Sequence, residues 1–405
     1  MTRLAFSLIR KGIFPFKGYK IAFVDLEDAM FTFTFEGKRK TGDCPQCGKR
    51  CGNIEETNTR FARDLDAWGC KTFLIFPQRK IQCKCGYRGV EKFEFIDPYC
   101  RCTNRMEEYV FMLCKIMTVY DASQQAKLSW HTVKNIDKKH INKLIVGLAQ
   151  ANPRGIGVDE VAYLKGHNYL TIVRDIDLGK VIWIGFSRTK ETLDSFFKEL
   201  GTLKAHAIKL AVMDMHDPYI ASVKEHTNAE IVFDKFHISK KVNEALDTVR
   251  KQEFAQADSE ERKNMKKKRF LILARNKNVE DEKREELDTL LEQNKTLSKA
   301  YLLKEQVLDI FDETEQDTAV KRLDKWMQNV KKSGITAYDK VVNTITNYMY
   351  GIVNYFKHHV TNAASEAINN KINVIKRRAY GFRDIEYFKL KIIQLCGVTH
   401  PENQR

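Results

Sequence analysis

Three acidic residues lie in the sequence where their side chains could bind divalent cations together. Asp159 lies within the first predicted strand of a sheet, in Gly155-Ile-Gly-Val-Asp159-Glu160, and Asp214 ends the fourth strand. Glu366 lies in the first turns of a later helix. Neighbouring carboxylates repel one another unless cations separate them, and two Mg²⁺ or Mn²⁺ ions about 3.5–4 Å apart meet that need. Two such cations together activate a water or a 3′-hydroxyl and stabilise the leaving oxygen of a phosphodiester.

Other acids at the ends of predicted strands have simpler explanations. A single acid in such a place is more often a cap or an ion-pair partner, so the three acids count only as a set. Asp175 and Asp177 fit a hairpin turn, and Asp217, directly before a proline, fits a helix cap. Asp234, in Asp234-Lys-Phe-His237, is the most serious rival for a functional role.

The elements that would position the acids follow an informative order. Three predicted strands come first, and helices and strands then alternate. The segments in chain order are Gly155–Tyr163, Asn168–Arg174, Val181–Phe186, the helix Thr192–Leu200, the strand Ile208–Met213, the helix Pro218–Glu225 and the strand Glu230–Phe233. This order predicts a ribonuclease H-like domain, in which the first and fourth strands are neighbours. A doubly wound nucleotide-binding fold would begin β-α-β with a GxGxxG or P-loop motif, and the sequence contains neither.

A charged helical segment separates the last of these strands from Glu366. It runs from Ile238 to about residue 340 and is interpreted as an insertion before a final helix, Thr361–Ala379. Lys263–Arg269 is densely basic and Glu280–Glu292 is acidic. Charge runs on helices are usually solvated faces, and whether the basic run contacts DNA stays open.

Nine of the ten cysteines lie between Cys44 and Cys114, which favours metal binding over disulfides in a reducing cytosol. Cys44-Pro-Gln-Cys47-Gly48 has the spacing of a zinc knuckle, and Cys83-Lys-Cys85-Gly86 is a shorter version of it. Lys71–Phe76 and Arg79–Gln82, which lie between the knuckles, are predicted strands. The pattern predicts a zinc ribbon with structural Zn²⁺ held by Cys44, Cys47, Cys83 and Cys85.

The other cysteines leave alternatives open. Competing zinc ligands are Cys51, Cys70, Cys100 and Cys102. Cys114 lies on the apolar face of Tyr109–Met117 and is interpreted as a buried structural thiol. A set of free buried cysteines would not explain the CPxCG spacing.

The sequence after Thr103 predicts three helices. They are Met106–Met117, Val119–Leu128 and Trp130–Lys139, with Ser129 as the N-cap of the third. Two short helices joined by a tight turn are typical of a helix-turn-helix, although an ordinary helical hairpin would have the same pattern. Val133 and Ile136 face inward, which leaves an outer face suited to phosphates and the major groove. That face carries His131, Thr132, Lys134, Asn135 and Lys138.

The composition agrees with a DNA-binding protein. The 405 residues are 43% apolar, which excludes a disordered, collagenous or small disulfide-rich chain. The net charge of +16 favours a polyanionic partner over a merely soluble basic protein. No apolar run approaches the roughly 18 residues of a membrane span. Met1–Phe16 carries three basic residues and no small-residue cleavage site, so we expect a cytoplasmic protein without a secretory signal.

Four strings resemble the ISL-three (ISL3) group of bacterial insertion-sequence transposases, which are DDE transposases. The first three are Gly157-Val-Asp159-Glu160, Met213-Asp214-Met-His-Asp217-Pro-Tyr219 and Asp234-Lys-Phe-His237. The fourth is Glu366-Ala-Ile-Asn-Asn-Lys-Ile372, which continues to Lys376-Arg377-Arg378-Ala-Tyr-Gly381-Phe382. The order of ribbon, helix-turn-helix and acids is also similar, so the resemblance extends from about residue 40 onward.

The resemblance implies roles for these residues. Asp159, Asp214 and Glu366 would form the metal-binding triad. Asp234 and His237 match a family string without an assigned role and are accessory candidates. His237 could bind a phosphate or cap the next helix, and the capping role is favoured. Candidates for holding the DNA backbone are Lys376, Arg377, Arg378 and Arg383. Two features depart from the family pattern. The second knuckle is CxC where CxxC is usual, and Asp214 and Glu366 are 152 residues apart (366 − 214), which requires the helical insertion.

The expected function is that of a DNA transposase. Its ribbon and helix-turn-helix would bind terminal inverted repeats, and its core would cleave a strand and transfer the freed 3′-hydroxyl to target DNA. Bringing two ends together implies a homodimer or a larger homo-oligomer. The alternatives are a catalytically silent DNA-binding regulator and, less consistent with a sequence-reading helix pair, a nuclease for RNA or junctions.

The expected architecture is a multidomain α+β and α/β protein. Its predicted parts are a β extension (1–43), the zinc ribbon (44–102), the helix-turn-helix (103–150), the first part of the ribonuclease H-like core (151–239), the helical insertion (240–345) and helices completing the core (346–405).

Overall fold

The computed structural model describes residues 16, 18–145, 150–164, 166, 168–360 and 363–397. The sequence predictions about the amino-terminal segment before Phe16 therefore lie outside the described residues. The chain divides into two compact units, Met1–Lys143 and Leu144–Arg405. Each unit has hydrophobic core clusters of its own.

The first unit contains a mixed β-sheet. Its described strands are β1 (Tyr19–Glu27), β2 (Met30–Gly37), β5 (Ile54–Ala67), β6 (Cys70–Gln82) and β7 (Arg88–Val90), while β3 (Gly42–Asp43) and β4 (Arg50–Cys51) form a separate pair. The order is β1-β2-β6-β5, with β7 also on β6. Because β2 pairs with β6, strands from both sides of residue 43 share this sheet.

The two segments predicted as strands between the knuckles are confirmed as strand residues, but they are continuous with each other. Lys71–Phe76 and Arg79–Gln82 are parts of the single strand β6, which continues through Pro77. The neighbouring strand β2 pairs with β6 only as far as Ile75. Pro77 therefore lies where that side of β6 is an edge, and a proline, which has no backbone N–H to donate, is tolerated there.

Three helices follow in the first unit, as predicted. They are α1 (Asn104–Ile116), α2 (Val119–Ala126) and α3 (Trp130–Leu144). The predicted cap of the third helix is confirmed, since Ser129 Oγ accepts from the backbone N–H of Thr132 at 3.2 Å. Val133, Ile136 and Cys114 are buried in the core of these helices, which confirms the inward face and the structural thiol.

The second unit is built on another five-stranded sheet. Its strands are β8 (Gly155–Leu164), β9 (Asn168–Asp175), β10 (Lys180–Phe186), β11 (Leu210–Met213) and β12 (Glu230–Phe233), in the order β10-β9-β8-β11-β12. The first three are antiparallel, and β11 and β12 run parallel to β8. The connecting helices are α4 (Lys190–Leu200), α5 (Thr202–Ala207) and α6 (Asp217–His226). The predicted adjacency of the first and fourth strands is confirmed.

Helices make up the next segment of the second unit. They are α7 (Lys235–Gln256), α8 (Ser259–Met265), α9 (Arg269–Leu273), α10 (Asp281–Gln293), α11 (Lys295–Ile310), α12 (Gln316–Ser333), α13 (Asp339–Asn347) and α14 (Met349–His358). They share one core with one face of the sheet, and α14 packs closely on β12. A Cβ added to Gly351 would lie 2.3 Å from Phe233 Cδ2, so only glycine permits this approach.

Two helices cover the other face of the sheet. They are α15 (Ala363–Arg378) and α16 (Ile385–Cys396). Ile368 and Ile372 of α15 pack with Ile392 of α16 against the apolar side chains of β8 to β10. The expectation that Thr361–Ala379 is the final helix is therefore wrong, because α16 follows and buries its own apolar face. Thr361 itself lies outside the described residues.

Among the described residues, no helix combines the length and the apolar character that a bilayer crossing requires.

Candidate functional site

Acidic side chains converge at one edge of the second sheet. β8 and β11 are parallel, with Gly157 opposite Val212, so Asp159 and Asp214 extend beyond the paired residues in the same direction. One carboxylate oxygen each of Asp159, Glu160 and Asp214 lies within 4.8 Å of the others. The two strand acids predicted to act together are therefore close enough to share a cation.

Glu160 is the member of this group that the sequence reasoning missed. Consecutive strand residues point to opposite faces, which places Glu160 away from Asp159. Its longer side chain nevertheless reaches the edge where Asp214 lies, and Arg188 Nη1 is 3.7 Å from its Oε1. The signal available in the sequence was the acidic pair Asp159-Glu160 itself.

Asp159 and Glu160 are unusually hard to ionise. Burial, followed by the charge of Asp214, raises the pKa of Asp159 to about 6. Burial, followed by the charges of Asp214 and Asp159, raises the pKa of Glu160 to about 7. A cation binding here would relieve this repulsion and release protons.

Two buried oxygens beside the acids point to a missing positive partner. Glu160 Oε2 and Asn369 Oδ1 are buried and lack a hydrogen-bond donor among the described residues. The amide of Asn369 donates its Nδ2–H to Asp159 Oδ2 at 2.8 Å, which fixes the side chain beside the acid. Oxygen ligands are those that Mg²⁺ and Mn²⁺ prefer, so these residues fit a divalent cation.

His237 contacts the site directly, in contrast to the capping role considered for it. His237 Nε2 lies 2.5 Å from Asp214 Oδ1. Burial opposes protonation of His237, yet the hydrogen bond and charge of Asp214 raise the pKa of its imidazole above the ordinary value. The cap of α7 is Asp234, whose Oδ1 accepts from the backbone N–H of Phe236 at 3.1 Å. Burial raises the pKa of Asp234.

Glu366 lies outside the group of three close carboxylates. It is exposed in the first turn of α15, one helical turn before Asn369, which contacts Asp159. The residue before it, Ser365, is buried, and its Oγ accepts from Arg174 Nε at 2.6 Å. The structure thus ties the start of α15 to the sheet that carries the other acids.

The remaining acids have structural contacts. Asp175 accepts from the backbone N–H groups of Asp177 and Leu178, which confirms the turn. Asp217 is the first residue of α6 and accepts from the hydroxyl of Tyr348 at 2.8 Å, so the expectation that it caps the helix is wrong.

The four predicted zinc ligands form one cluster in the first unit. One sulfur each from Cys44, Cys47, Cys83 and Cys85 lies within 4.8 Å of the others. Cys44 Sγ is 3.7 Å from Cys85 Sγ, and Cys47 Sγ is 3.6 Å from Cys83 Sγ. A tetrahedral zinc ion with Zn–S bonds of about 2.3 Å separates its sulfurs by about 3.8 Å. The cluster therefore has the dimensions of a zinc site.

Both turns that carry the cysteines depend on glycine. Gly48 and Gly86 have φ values of 70° and 93°, which a side chain disfavours. Burial works against ionisation of Cys44, but the backbone N–H groups of Cys47 and Gln46 lower its pKa to about 7. Cys83 belongs to the group of four close sulfurs although its knuckle has the short CxC form.

The competing cysteines are outside the group of four close sulfurs. Cys51 Sγ donates to the carbonyl of Gln82 at 2.9 Å, and Cys70 Sγ lies 3.8 Å from the carbonyl of Trp68. Cys100 Sγ accepts from Lys139 Nζ, and burial raises the pKa of Cys102 to about 11.

The predicted DNA-contacting side chains lie on exposed or half-buried helix positions. On α3, His131 and Asn135 are exposed, Thr132, Lys134 and Lys138 are half-buried, and Lys134 Nζ lies 5.0 Å from the centre of the Trp130 ring. At the end of α15 and beyond it, Arg377, Arg378 and Arg383 are exposed. Lys376 Nζ donates to the carbonyl of Ala162 at 2.9 Å.

Three segments of the chain match known protein domains. Residues 156–392 match the DDE transposase domain of the ISL3 type. Residues 91–141 match the helix-turn-helix domain of transposase family ISL3, and residues 40–85 match the zinc-finger of transposases IS204, IS1001, IS1096 and IS1165. The matches follow the order of elements described above.

Two curated relatives are similar over most of their length. The transposase for insertion sequence element IS1001 of Bordetella parapertussis is 34% identical over 354 residues, which cover 86% of this chain and 87% of the relative. The transposase for insertion sequence element IS1557 of Mycobacterium tuberculosis is 24% identical over 389 residues, which cover 87% and 86%.

Proposed function

The chain belongs to the ISL3 family of insertion-sequence transposases, and we propose that Asp159, Asp214 and Glu366 form its catalytic triad. It is a DDE transposase, an enzyme class that cleaves and joins DNA strands. The observation that carries the residue assignment is the meeting of the Asp159 and Asp214 carboxylates from neighbouring strands. Glu366 enters the triad because its helix is tied to this edge through Asn369 and Ser365.

A ribonuclease H-like core is the best description of the second unit. The strand order β10-β9-β8-β11-β12, with helices on both faces, supports it. In this proposal residues 151–239 and 346–405 form the core and 240–345 the helical insertion. Residues 1–43, 44–102 and 103–150 are the β extension, the zinc ribbon and the helix-turn-helix.

The triad would hold a pair of Mg²⁺ or Mn²⁺ ions. When bound, the pair supplies Lewis-acid chemistry for hydrolysis at the element end and for transfer of the freed 3′-hydroxyl. Asp159 and Asp214 would hold the ions from the sheet, and Glu366 would hold them from α15. His237 orients Asp214 through its 2.5 Å contact. In the first step water displaces the 3′-oxygen of the element end. In the second step that 3′-hydroxyl attacks a target phosphate and displaces its 3′-oxygen.

DNA binding is divided between two sets of side chains in this proposal. The face of α3 reads terminal inverted repeats through His131, Thr132, Lys134, Asn135 and Lys138. Phosphates of the cleaved strand or the target contact Lys376, Arg377, Arg378 and Arg383. Structural Zn²⁺ on Cys44, Cys47, Cys83 and Cys85 holds the ribbon. The enzyme works as a homodimer or larger homo-oligomer on the bacterial nucleoid, where its DNA lies.

The test is a nicking assay on a labelled duplex that carries the element's own end. Wild type should nick it in Mg²⁺, and Asp214→Asn should bind it equally but lose nicking by about 10³-fold or more, because one cation ligand is gone. Asp177→Asn, the same change at an exposed turn acid, should nick like wild type. Tight end binding without nicking by wild type, in Mg²⁺ or Mn²⁺, would instead favour a silent DNA-binding regulator.

A further inference from the structure

A buried arginine lies under the start of the helix that carries Glu366. Arg174, on β9, is 2% exposed and pairs directly with Gly157 on β8. Gly157 and Asp159 are two residues apart on one strand, so Arg174 and Asp159 extend from the same face of the sheet. This is the face that α15 covers.

The path of the Arg174 side chain depends on a missing side chain opposite. A Cβ added to Gly157 would lie 2.5 Å from Arg174 Nε and 2.7 Å from its Cζ. The arginine therefore lies across Gly157, in space that any other residue would fill. A guanidinium held this closely is well defined in position.

From this position Arg174 reaches the residue next to Glu366. Its Nε–H donates to Ser365 Oγ at 2.6 Å, and Ser365 is 3% exposed. One turn later, Asn369 donates to Asp159 at 2.8 Å. The first turns of α15 are thus fastened to β9 by Arg174 and to β8 by Asn369, on either side of Glu366 in the sequence.

We propose that Arg174, lying across Gly157, is a positioning residue that holds the first turn of α15 through Ser365 and so presents Glu366 to the cations at Asp159 and Asp214. This inference rests on the proposed catalytic triad. It assigns to Arg174 a role through another residue and not a contact with DNA or metal.

A purely electrostatic role for Arg174 would predict the opposite change in Mn²⁺ affinity when Arg174 is removed. If its charge served only to neutralise nearby acids, removing it would make the electrostatic potential at the site more negative, and Mn²⁺ would bind more tightly. If Arg174 positions Glu366, removing it displaces a ligand, and Mn²⁺ binds more weakly. Residues that orient metal ligands typically contribute about 10- to 100-fold to affinity.

The experiment is titration calorimetry of Mn²⁺ with the full chain, in wild type, Arg174→Met, Glu366→Gln and the double variant. We expect each single change to weaken binding about tenfold or more, and the double variant to be little weaker than Glu366→Gln alone, because both changes remove the same ligand. Arg174→Lys, which keeps the charge without the Nε–H, should retain the defect. Arg250→Met is the matched control, since Arg250 pairs with Asp247 on α7, 13 residues (250 − 237) and about 20 Å beyond His237.

Ser365→Ala tests the same contact in a second way, in case the arginine variants do not fold. It removes the acceptor and keeps Arg174 itself, and it should lower the nicking rate constant while the KM for DNA stays unchanged. Tighter Mn²⁺ binding by Arg174→Met, or fully additive effects in the double variant, would overturn the inference while leaving the triad intact. If Arg174→Met unfolds, unchanged nicking by Ser365→Ala overturns it. Failure of both Glu366→Gln and Asp214→Asn to weaken Mn²⁺ binding would instead refute the triad.

Discussion

At the scale of single residues, Glu160 lowers the free energy of unfolding by an amount that depends on pH. The pKa of its carboxyl is raised from 4.5 to about 7, first by burial and then by Asp214 and Asp159. Because the folded pKa lies above the unfolded one, the folded state binds the extra proton between these values. The destabilisation is therefore absent below about pH 4.5, grows as the pH rises, and is complete above about pH 7.

We predict that Glu160→Gln stabilises the metal-free protein at pH 8. The gain should be on the order of 2 kcal/mol, which corresponds to a rise of several degrees in the melting temperature, and it should shrink towards pH 5. Thermal unfolding without added Mg²⁺ or Mn²⁺ at both pH values, with the zinc of the ribbon left in place, measures it, and the exposed Glu386→Gln serves as control. Mn²⁺ should raise the melting temperature of wild type more than that of Glu160→Gln. A variant no more stable than wild type at pH 8 would contradict the assignment.

The sequence predicted the residues of the site better than their contacts. Asp159 and Asp214 were recognisable because each lies in or directly after a short apolar strand. Glu160 was not, since alternation along a strand places it on the opposite face, and only the three-dimensional structure shows its oxygen near Asp214. Arg174 was equally hidden, because its contact with Ser365 spans 191 positions in the chain.

At the scale of elements, the two knuckles need a common metal ion to hold them together. Their turns are short, and few buried apolar side chains surround them beyond Cys44, Cys51 and Ile81. We predict that Cys83→Ser lowers the bound zinc from one equivalent per chain to well below one and destabilises the first unit. Zinc analysis of the purified protein and thermal unfolding measure this. Cys70→Ser, a half-buried cysteine outside the cluster, should keep its zinc. One full equivalent of zinc per chain in Cys83→Ser would show that a different set of residues binds the zinc.

The third helix of the first unit allows two kinds of DNA contact to be separated. Asn135→Ala should weaken binding to the inverted repeat by about 1–3 kcal/mol and leave a scrambled duplex almost unaffected, as expected for a base-edge contact. Lys138→Ala should weaken both duplexes and reduce the slope of log affinity against log salt by about one. Fluorescence anisotropy over a salt series measures both, with the exposed helical Lys325→Ala as control. If Asn135→Ala lost the same affinity for both duplexes, Asn135 would not be a residue that contacts base edges.

The elements themselves were largely predictable for a physical reason. Short apolar runs bounded by turn residues gave β8 to β12 in the right order, and the cap at Ser129 gave the start of α3. Helices were predicted up to residue 405, but α16 was not placed as a separate helix because its apolar face was not distinguished from the segment after Glu366. The joining of β2 to β6 was not predictable either, because parallel pairing between distant strands leaves no local pattern.

At the scale of the whole molecule, we expect charge and the number of cation sites per chain to determine how copies of the protein assemble. In the part of the chain that the structure describes, one group of three close carboxylates could hold the cations of the reaction. We therefore expect that joining two element ends to a target involves two chains, one for each end. Each chain carries a net charge of +16, so free copies repel one another, and DNA, which neutralises that charge, removes the obstacle.

We predict that the free protein is a monomer at micromolar concentration and low salt and that a duplex carrying the element end converts it into a complex of two chains and two ends. Analytical ultracentrifugation of the protein with a labelled duplex measures both masses, and a scrambled duplex serves as control. Raising the salt should dissociate the complex, because it weakens the phosphate contacts that bring the chains together. A dimer that persists without DNA at low salt would mean that a protein surface, and not charge neutralisation, drives the assembly.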